Sequence, residues 1–249
     1  MRIAVFTDVH ANLPALRAAL EAIRARGCDG IFHTGDAIAI GPYPMECLDL
    51  LFSTPGVQCV MGNHEAYLID GLPQPRPEWM SEGEVEHQCW THSRLDAQAR
   101  AAVARWPYLI RQELEGVQVA FVHYGLAPSE RDFVPTVRHP KADELDGVFG
   151  DSRADLIFYG HDHWFSDQQG RARYVNPGSL GCHTEAVARY CIIEFGRGEF
   201  AVEHCQVSYD DRALFWAFEQ RAVPEWRVLY QAFFGGRFGQ LRGEASGPI

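Results

Sequence analysis

Three apolar runs, RIAVFTD (2–8), GIFHTGD (30–36) and VQCVMGN (57–63), each close on a polar side chain suited to metal binding: Asp8, Asp36 and Asn63. This repeated ending constrains the fold more than any other feature. Between the runs lie two helical stretches, NLPALRAALEAIRAR, with Asn12 as N-cap and Gly27 as stop, and PMECLDLLFS. Strand, helix, strand, helix, strand implies right-handed crossovers and a parallel sheet. In such a sheet ligands bind beyond the carboxyl ends of the strands, where the three polar residues fall.

From about 65 to 107 the texture changes. A Pro-rich link, GLPQPRP, precedes one long helical stretch through EVEHQCWTHSRLDAQARAAVARW, closed by Pro107 and expected to lie over the site as a helical insertion. The later half is richer in strands. LIRQEL and VQVAFVH flank Gly116 as a hairpin, and ADLIFYGH follows a short helix near KADELDGVF. With RARYVNPGS, ARYCIIEFG and EFAVEHCQV they suggest a second sheet packed on the first. Residues 210–234 read as two amphipathic helices split at Pro224, and the tail GEASGPI is expected to be loose.

A length of 249 residues leaves one or two domains open. With 47% hydrophobic and 22% charged residues, the chain should bury a sizeable core. A formal charge of −11 repels nucleic acid and anionic membrane, and no basic run offsets it. The seven cysteines are scattered, with no C-x-x-C pair, so neither a disulfide framework nor a zinc knuckle is expected. The chain opens on MRIAVFTD without a charged-then-apolar leader, and no apolar run reaches the ~20 residues of a membrane span, so a cytoplasmic location is expected.

The polar strand ends, taken in order, are DVH (Asp8, His10), GD (Asp36), GNH (Asn63, His64), VHYG (His123) and GHDH (His161, His163). In extended backbone His161 and His163 would point to one side and Asp162 to the other. Carboxylate and amide oxygens mixed with imidazoles suit Mn²⁺ or Fe, with Zn²⁺, Ni²⁺ or Mg²⁺ as further candidates. The set is too large for a single ion. Two ions about 3.5–4 Å apart need a bridging carboxylate, and Asp36 is the candidate. The glycines beside these residues let backbone approach the ions closely.

The series D-x-H, GD, GNHE, H and GHxH, in this order on strand ends, resembles the calcineurin-like metallophosphoesterases. MRIAVFTDVHANLPAL, GPYPMECLDLL and NPGSLG look like their compact bacterial and archaeal phosphodiesterase-type members, over residues 1 to 207. The resemblance implies an α/β fold of two packed mixed β-sheets flanked by helices, a four-layer sandwich in one domain over 1–249. Residues 65–107 would be its cap insertion and 208–249 its C-terminal helices and tail. It implies that Asp8, His10, Asp36 and His163 hold one metal, and Asp36, Asn63, His123 and His161 the other. A hydroxide bridging the ions would attack phosphorus in line. His64, unmetallated in the family, would protonate the leaving oxygen or stabilise the transition state, with Glu65 orienting it or contributing to the local field. The chain departs from the pattern at Ala39, where relatives carry glycine, and at Tyr124, where a small residue is usual.

Asn12, Tyr124, Trp164 and His183 are candidates for the substrate pocket. His87 and His92 stand about 140° apart on a helix, so they would not share a metal, though either could reach the site from the cap. His33, His139 and His204 are expected on surfaces or in local hydrogen bonds. The function expected is a metal-dependent phosphodiesterase or nucleotide-pyrophosphate hydrolase acting on a small substrate, with no nucleic-acid or membrane partner. LFWAFEQ and VLYQAFF offer a possible homodimer contact. The alternatives are a nuclease, for which basic surface is missing, and a catalytically silent interaction scaffold, which retention of every proposed ligand and of His64 disfavours.

Overall fold

A computed structural model describes residues 1–150 and 152–237. The tail GEASGPI lies outside the described residues. In chain order the elements are β1 (Arg2–Phe6), α1 (Leu13–Arg26), β2 (Gly30–His33), α2 (Pro44–Ser53) and β3 (Val57–Cys59). Then follow α3 (Asn63–Asp70), α4 (Glu82–Ser93), α5 (Ala97–Val103), β4 (Leu109–Leu114), β5 (Val117–Val122), α6 (Ala142–Val148) and β6 (Leu156–Phe158). The rest are β7 (Ser166–Gln169), β8 (Arg173–Asn176), β9 (Val187–Gly196), β10 (Glu199–Ser208), α7 (Arg212–Gln220) and α8 (Trp226–Phe234).

Two five-stranded mixed sheets pack face to face, ordered β10-β9-β1-β2-β3 and β4-β5-β6-β8-β7. The layer between them is apolar, with Ile3, Val5 and Phe32 of the first sheet against Val119, Phe121 and Phe158 of the second. Phe32 and Phe121 stack across it at 3.8 Å between ring centroids. Helices α1, α2 and α5 bury Leu16, Leu48 and Val103 on the outer side of the first sheet. The second sheet turns Ala120, Ile157 and Tyr174 towards Leu145 of α6. The expected sandwich is present. No helix among the described residues is long and apolar enough to cross a membrane.

Local signals fixed the first crossover as expected. Asn12 caps α1 by accepting from the Ala15 N–H at 3.1 Å, and Gly27 ends it at φ 63°. Four expectations need correction. β9 and β10 join the first sheet: β9 runs antiparallel to β1, with Ile3 opposite Ile193. β1 is buried on both faces, so both of its edges need partners, and the chain returns to supply one. β7, whose sequence SDQQ carries no apolar alternation, was not foreseen as a strand. The single cap helix is two, because Asp96 starts a new one by accepting from the Ala99 N–H at 2.7 Å. Asn63 does not end a strand; β3 stops at Cys59 and Asn63 opens α3.

His33 is also not a surface group. It is 1% exposed between the rings of Phe6 and Trp106, with both ring nitrogens unpartnered, and burial pushes it down to about 3. A histidine depressed in the folded state contributes stability above its unfolded value near 6.5 and loses it as pH falls towards 3. Between pH 7 and 5 it should cost about 2 kcal/mol. Urea unfolding of His33→Phe should show that much less acid sensitivity than wild type; identical pH profiles would refute the assignment.

Candidate metal centre

The ends of β1, β2, β5 and β6 and the start of α3 converge on one pocket floor. Asp8, His10, Asp36 and His123 are buried there, with His64, His161 and His163 partly open to the cleft. The loops carrying them are strained. Of fourteen non-glycine residues with positive φ among those described, eight are Asp8, His10, Ala11, Asp36, Ala39, Ile40, His161 and His163. Such backbone costs of order 1 kcal/mol or more per residue and persists where surrounding contacts over-determine it. Ala39, at φ 66°, occupies a left-handed position that a glycine would hold without strain.

The same angles correct the expectation for GHDH. His161 and His163 have φ of 76° and 60°, not extended values, so the two rings do not share a direction. Each instead joins a different group. His163 Nε2 lies 2.7 Å from His10 Nε2 and 3.5 Å from Asp8 Oδ1. His161 Nδ1 lies 2.9 Å from Asn63 Oδ1 and 3.2 Å from His123 Nε2. Asp36 Oδ2 stands 3.2 Å from His123 Nε2 and 3.9 Å from His10 Nε2, so it faces both groups.

The donor chemistry of these rings fits cation binding. The Nδ1 atoms of His10 and His123 face the carbonyl oxygens of Ile38, at 3.3 Å, and Thr34, at 2.8 Å. A carbonyl only accepts, so each Nδ1 carries a proton, which leaves Nε2 as the inward ligand atom. His123 Nε2 then faces the acceptors Asn63 Oδ1, at 3.1 Å, and Asp36 Oδ2, beside His161 Nδ1 at 3.2 Å. A proton can bridge them, and although burial opposes it, the Asp36 charge pushes His123 up to about 9. A divalent ion would meet all of these atoms at once. Asp8 and Asp36 are ready to serve: burial would raise both, and the surrounding histidines outweigh it and hold them well below the carboxylate range.

Two glycines show how closely backbone packs here. A Cβ at Gly62 would lie 2.2 Å from Asp36 Oδ1, and one at Gly160 would lie 2.0 Å from Thr7 Oγ1 and 2.6 Å from Asp8 Oδ2. Glu65 does not orient His64. Its buried carboxylate accepts from the N–H groups of Asp36, Ala37, Ile38 and Gly62 at 2.8–3.2 Å, clamping the loop that carries Asp36. Burial and the nearby Asp36 charge push it up to about 7.

The four pocket candidates divide. Asn12 is fully buried, with its amide on Gly181 O and Tyr209 Oη, and has a structural role. Tyr124 is fully buried too, backing the His161 ring at 5.0 Å and bonded to Val137, and the cavity it lines, with Val122, Val148 and Phe149, lies on the α6 side of the second sheet. His183 turns to Arg189 and the Glu185 N–H. Trp164, 58% exposed and beside His139, remains at the surface of the site. His87 stops short of the carboxylates and accepts from the Ile40 N–H at 2.8 Å; His92 leaves its Nε2 buried and unpartnered.

Two residues of the site were not anticipated. Gln88 of α4 reaches His64 Nδ1 at 2.8 Å, a contact no short-range pattern signals, because it spans 24 residues. Cys182 lies with His10 and His163 in a third group of possible ligands, following the NPGSLG turn that was noted only for its neighbour His183.

Residues 1–198 match the calcineurin-like phosphoesterase superfamily domain. The chain belongs to that superfamily. It is 28% identical to an uncharacterized protein of Methanocaldococcus jannaschii over 94% of this chain and 98% of the relative. It is 24% identical to a symmetrical bis(5'-nucleosyl)-tetraphosphatase of Actinobacillus pleuropneumoniae, over 68% of this chain and 63% of the relative. A metallophosphoesterase structure from Sphaerobacter thermophilus superposes with a TM-score of 0.67 at 24% identity, over 92% of this chain and 97% of that one. Members of this superfamily use divalent metal ions, and the clustered aspartates and histidines are suitable to hold them.

Proposed function

We propose that this phosphoesterase-superfamily member is a dinuclear metal-dependent hydrolase of small phosphodiesters or nucleotide pyrophosphates. The observation that carries this is the placement of Asp36 Oδ2, 3.9 Å from His10 Nε2 of one proposed ligand set and 3.2 Å from His123 Nε2 of the other. One carboxylate serving two ligand groups is what two adjacent ions require. Asp8, His10, Asp36 and His163 would hold one ion, and Asp36, Asn63, His123 and His161 the other. The mixed oxygen and imidazole set favours Mn²⁺ or Fe. When bound, the ions supply Lewis-acid stabilisation of phosphoryl oxygens and an acidified water as nucleophile.

The chain's own residues do the rest. His64 stands just outside the ligand sets, its backbone N–H on Asp36 Oδ1 at 3.0 Å and its Nε2 3.9 Å from Asp36 Oδ2, poised to meet a phosphoryl or leaving oxygen. Phe233 of α8, 5.5 Å from the His163 ring, bounds the site on one side, while Gln88 of the cap lies buried behind His64. A relative named as a nucleosyl tetraphosphatase supports a nucleotide substrate.

The test is to strip the protein with chelator, restore Mn²⁺ and follow bis-p-nitrophenyl phosphate. Hydrolysis should vanish and return with the metal, at about two ions per chain. A protein that binds two ions yet cleaves neither this ester nor any of a panel of nucleotide pyrophosphates would overturn the proposal.

A further inference from the structure

The amide of Gln88 decides which nitrogen of His64 carries its proton. Gln88 is fully buried on α4, and its Nε2 lies 2.9 Å from Glu84 Oε1 and 2.8 Å from His64 Nδ1, while its Oε1 is buried without a partner. The amide cannot be turned round. Turning it would press a carbonyl oxygen against the Glu84 carboxylate and leave an NH₂ group buried with no acceptor. The NH₂ group therefore donates to both neighbours, and a ring nitrogen that accepts a hydrogen bond bears no proton. His64 Nδ1 is a lone pair, and the ring's single proton sits on Nε2, on the side of Asp36.

We infer that Gln88 is a positioning residue that holds His64 as the neutral Nε2–H tautomer, so that the enzyme favours substrates whose leaving oxygen is weakly basic. A neutral imidazole donates a hydrogen bond but does not surrender its last proton, which would leave an imidazolate. His64 therefore stabilises charge on oxygen rather than protonating it. In the balanced step, water adds its oxygen to phosphorus and releases its proton to solvent. The bond from phosphorus to the leaving oxygen breaks, and that oxygen departs with the electron pair as an anion. Phosphoanhydrides, which release a phosphate, and aryl esters tolerate this; alkyl diesters, which would release an alkoxide, do not. The preference for phosphoanhydrides rests on the hydrolase proposal above, whereas the tautomer stands on Gln88 alone.

The experiment has two arms. Long-range ¹⁵N NMR of the zinc-loaded protein, with His64→Gln to assign the signal, should show His64 protonated at Nε2 and bare at Nδ1. In the Mn²⁺-loaded protein, kcat/KM across a series of methyl aryl phosphodiesters should fall about three-fold or more for each unit of leaving-group pKa. Gln88→Glu, which offers Nδ1 an acceptor, should move the proton to Nδ1, leave Nε2 without a donor, and lower kcat/KM most for the poorest leaving groups, steepening the series. A wild-type proton on Nδ1 overturns the proposal, as does a wild-type series already flat. Should Gln88→Glu fail to fold, the two wild-type measurements decide. Absence of all hydrolysis would sink the hydrolase proposal, while the NMR arm would still read the tautomer.

Discussion

His64→Ala is expected to lower kcat for bis-p-nitrophenyl phosphate by about 10²- to 10³-fold with metal content unchanged, the loss typical of one preorganised donor to a developing oxyanion. The metal content should hold because His64 lies outside both proposed ligand sets, and its contact with Asp36 Oδ1 comes from the backbone N–H, which alanine retains. The fold should hold as well. His64 packs its ring edge-on against His10 and Tyr67 at 5.4 and 5.9 Å between centroids, at the open end of the cleft rather than in the core. KM should move little, since a contact made to charge that appears only in the transition state adds nothing to ground-state binding. Atomic absorption on the purified variant, beside its kinetics, separates the outcomes. Lost metal would make His64 a ligand, and unchanged kcat would remove it from the reaction.

The proposed ligands were legible in the sequence because their placement follows from chain topology. Parallel crossovers bring Asp8 and Asp36 to the same edge, whatever the packing details. His161 and His163 reached the site for a reason the pattern did not contain: their two left-handed φ values send one ring to His123 and the other to His10. Gln88 was not legible at all, since its contact depends on how α4 packs over α3. Sheet membership failed at β9 for a similar reason. VARYCIIEFG shows that the strand is buried but not which edge it covers, and only the bare side of β1 decides that. Composition likewise gave no sign that His33 would be enclosed between Phe6 and Trp106.

Glu65→Gln should cost about 2–5 kcal/mol of stability and about 10- to 100-fold in metal affinity. Four backbone N–H groups, of Gly62, Asp36, Ala37 and Ile38, point at the two carboxylate oxygens. An amide replaces one oxygen with a second donor, so two of those N–H groups face an NH₂ group in a site closed to water. Neither amide orientation helps, because each oxygen serves two donors. The segment so released carries Asp36 in its strained left-handed conformation, at φ 60°. Without the clamp that strain can relax, and the carboxylate shared by the two ligand groups moves with it. Chemical unfolding of the metal-free variant reads the first effect, and calorimetric titration with Mn²⁺ reads the second. A variant within about 0.5 kcal/mol of wild type would mean that the loop holds its shape without Glu65. Normal stability with weakened metal binding would instead place the role of Glu65 in the field around Asp36 rather than in its geometry.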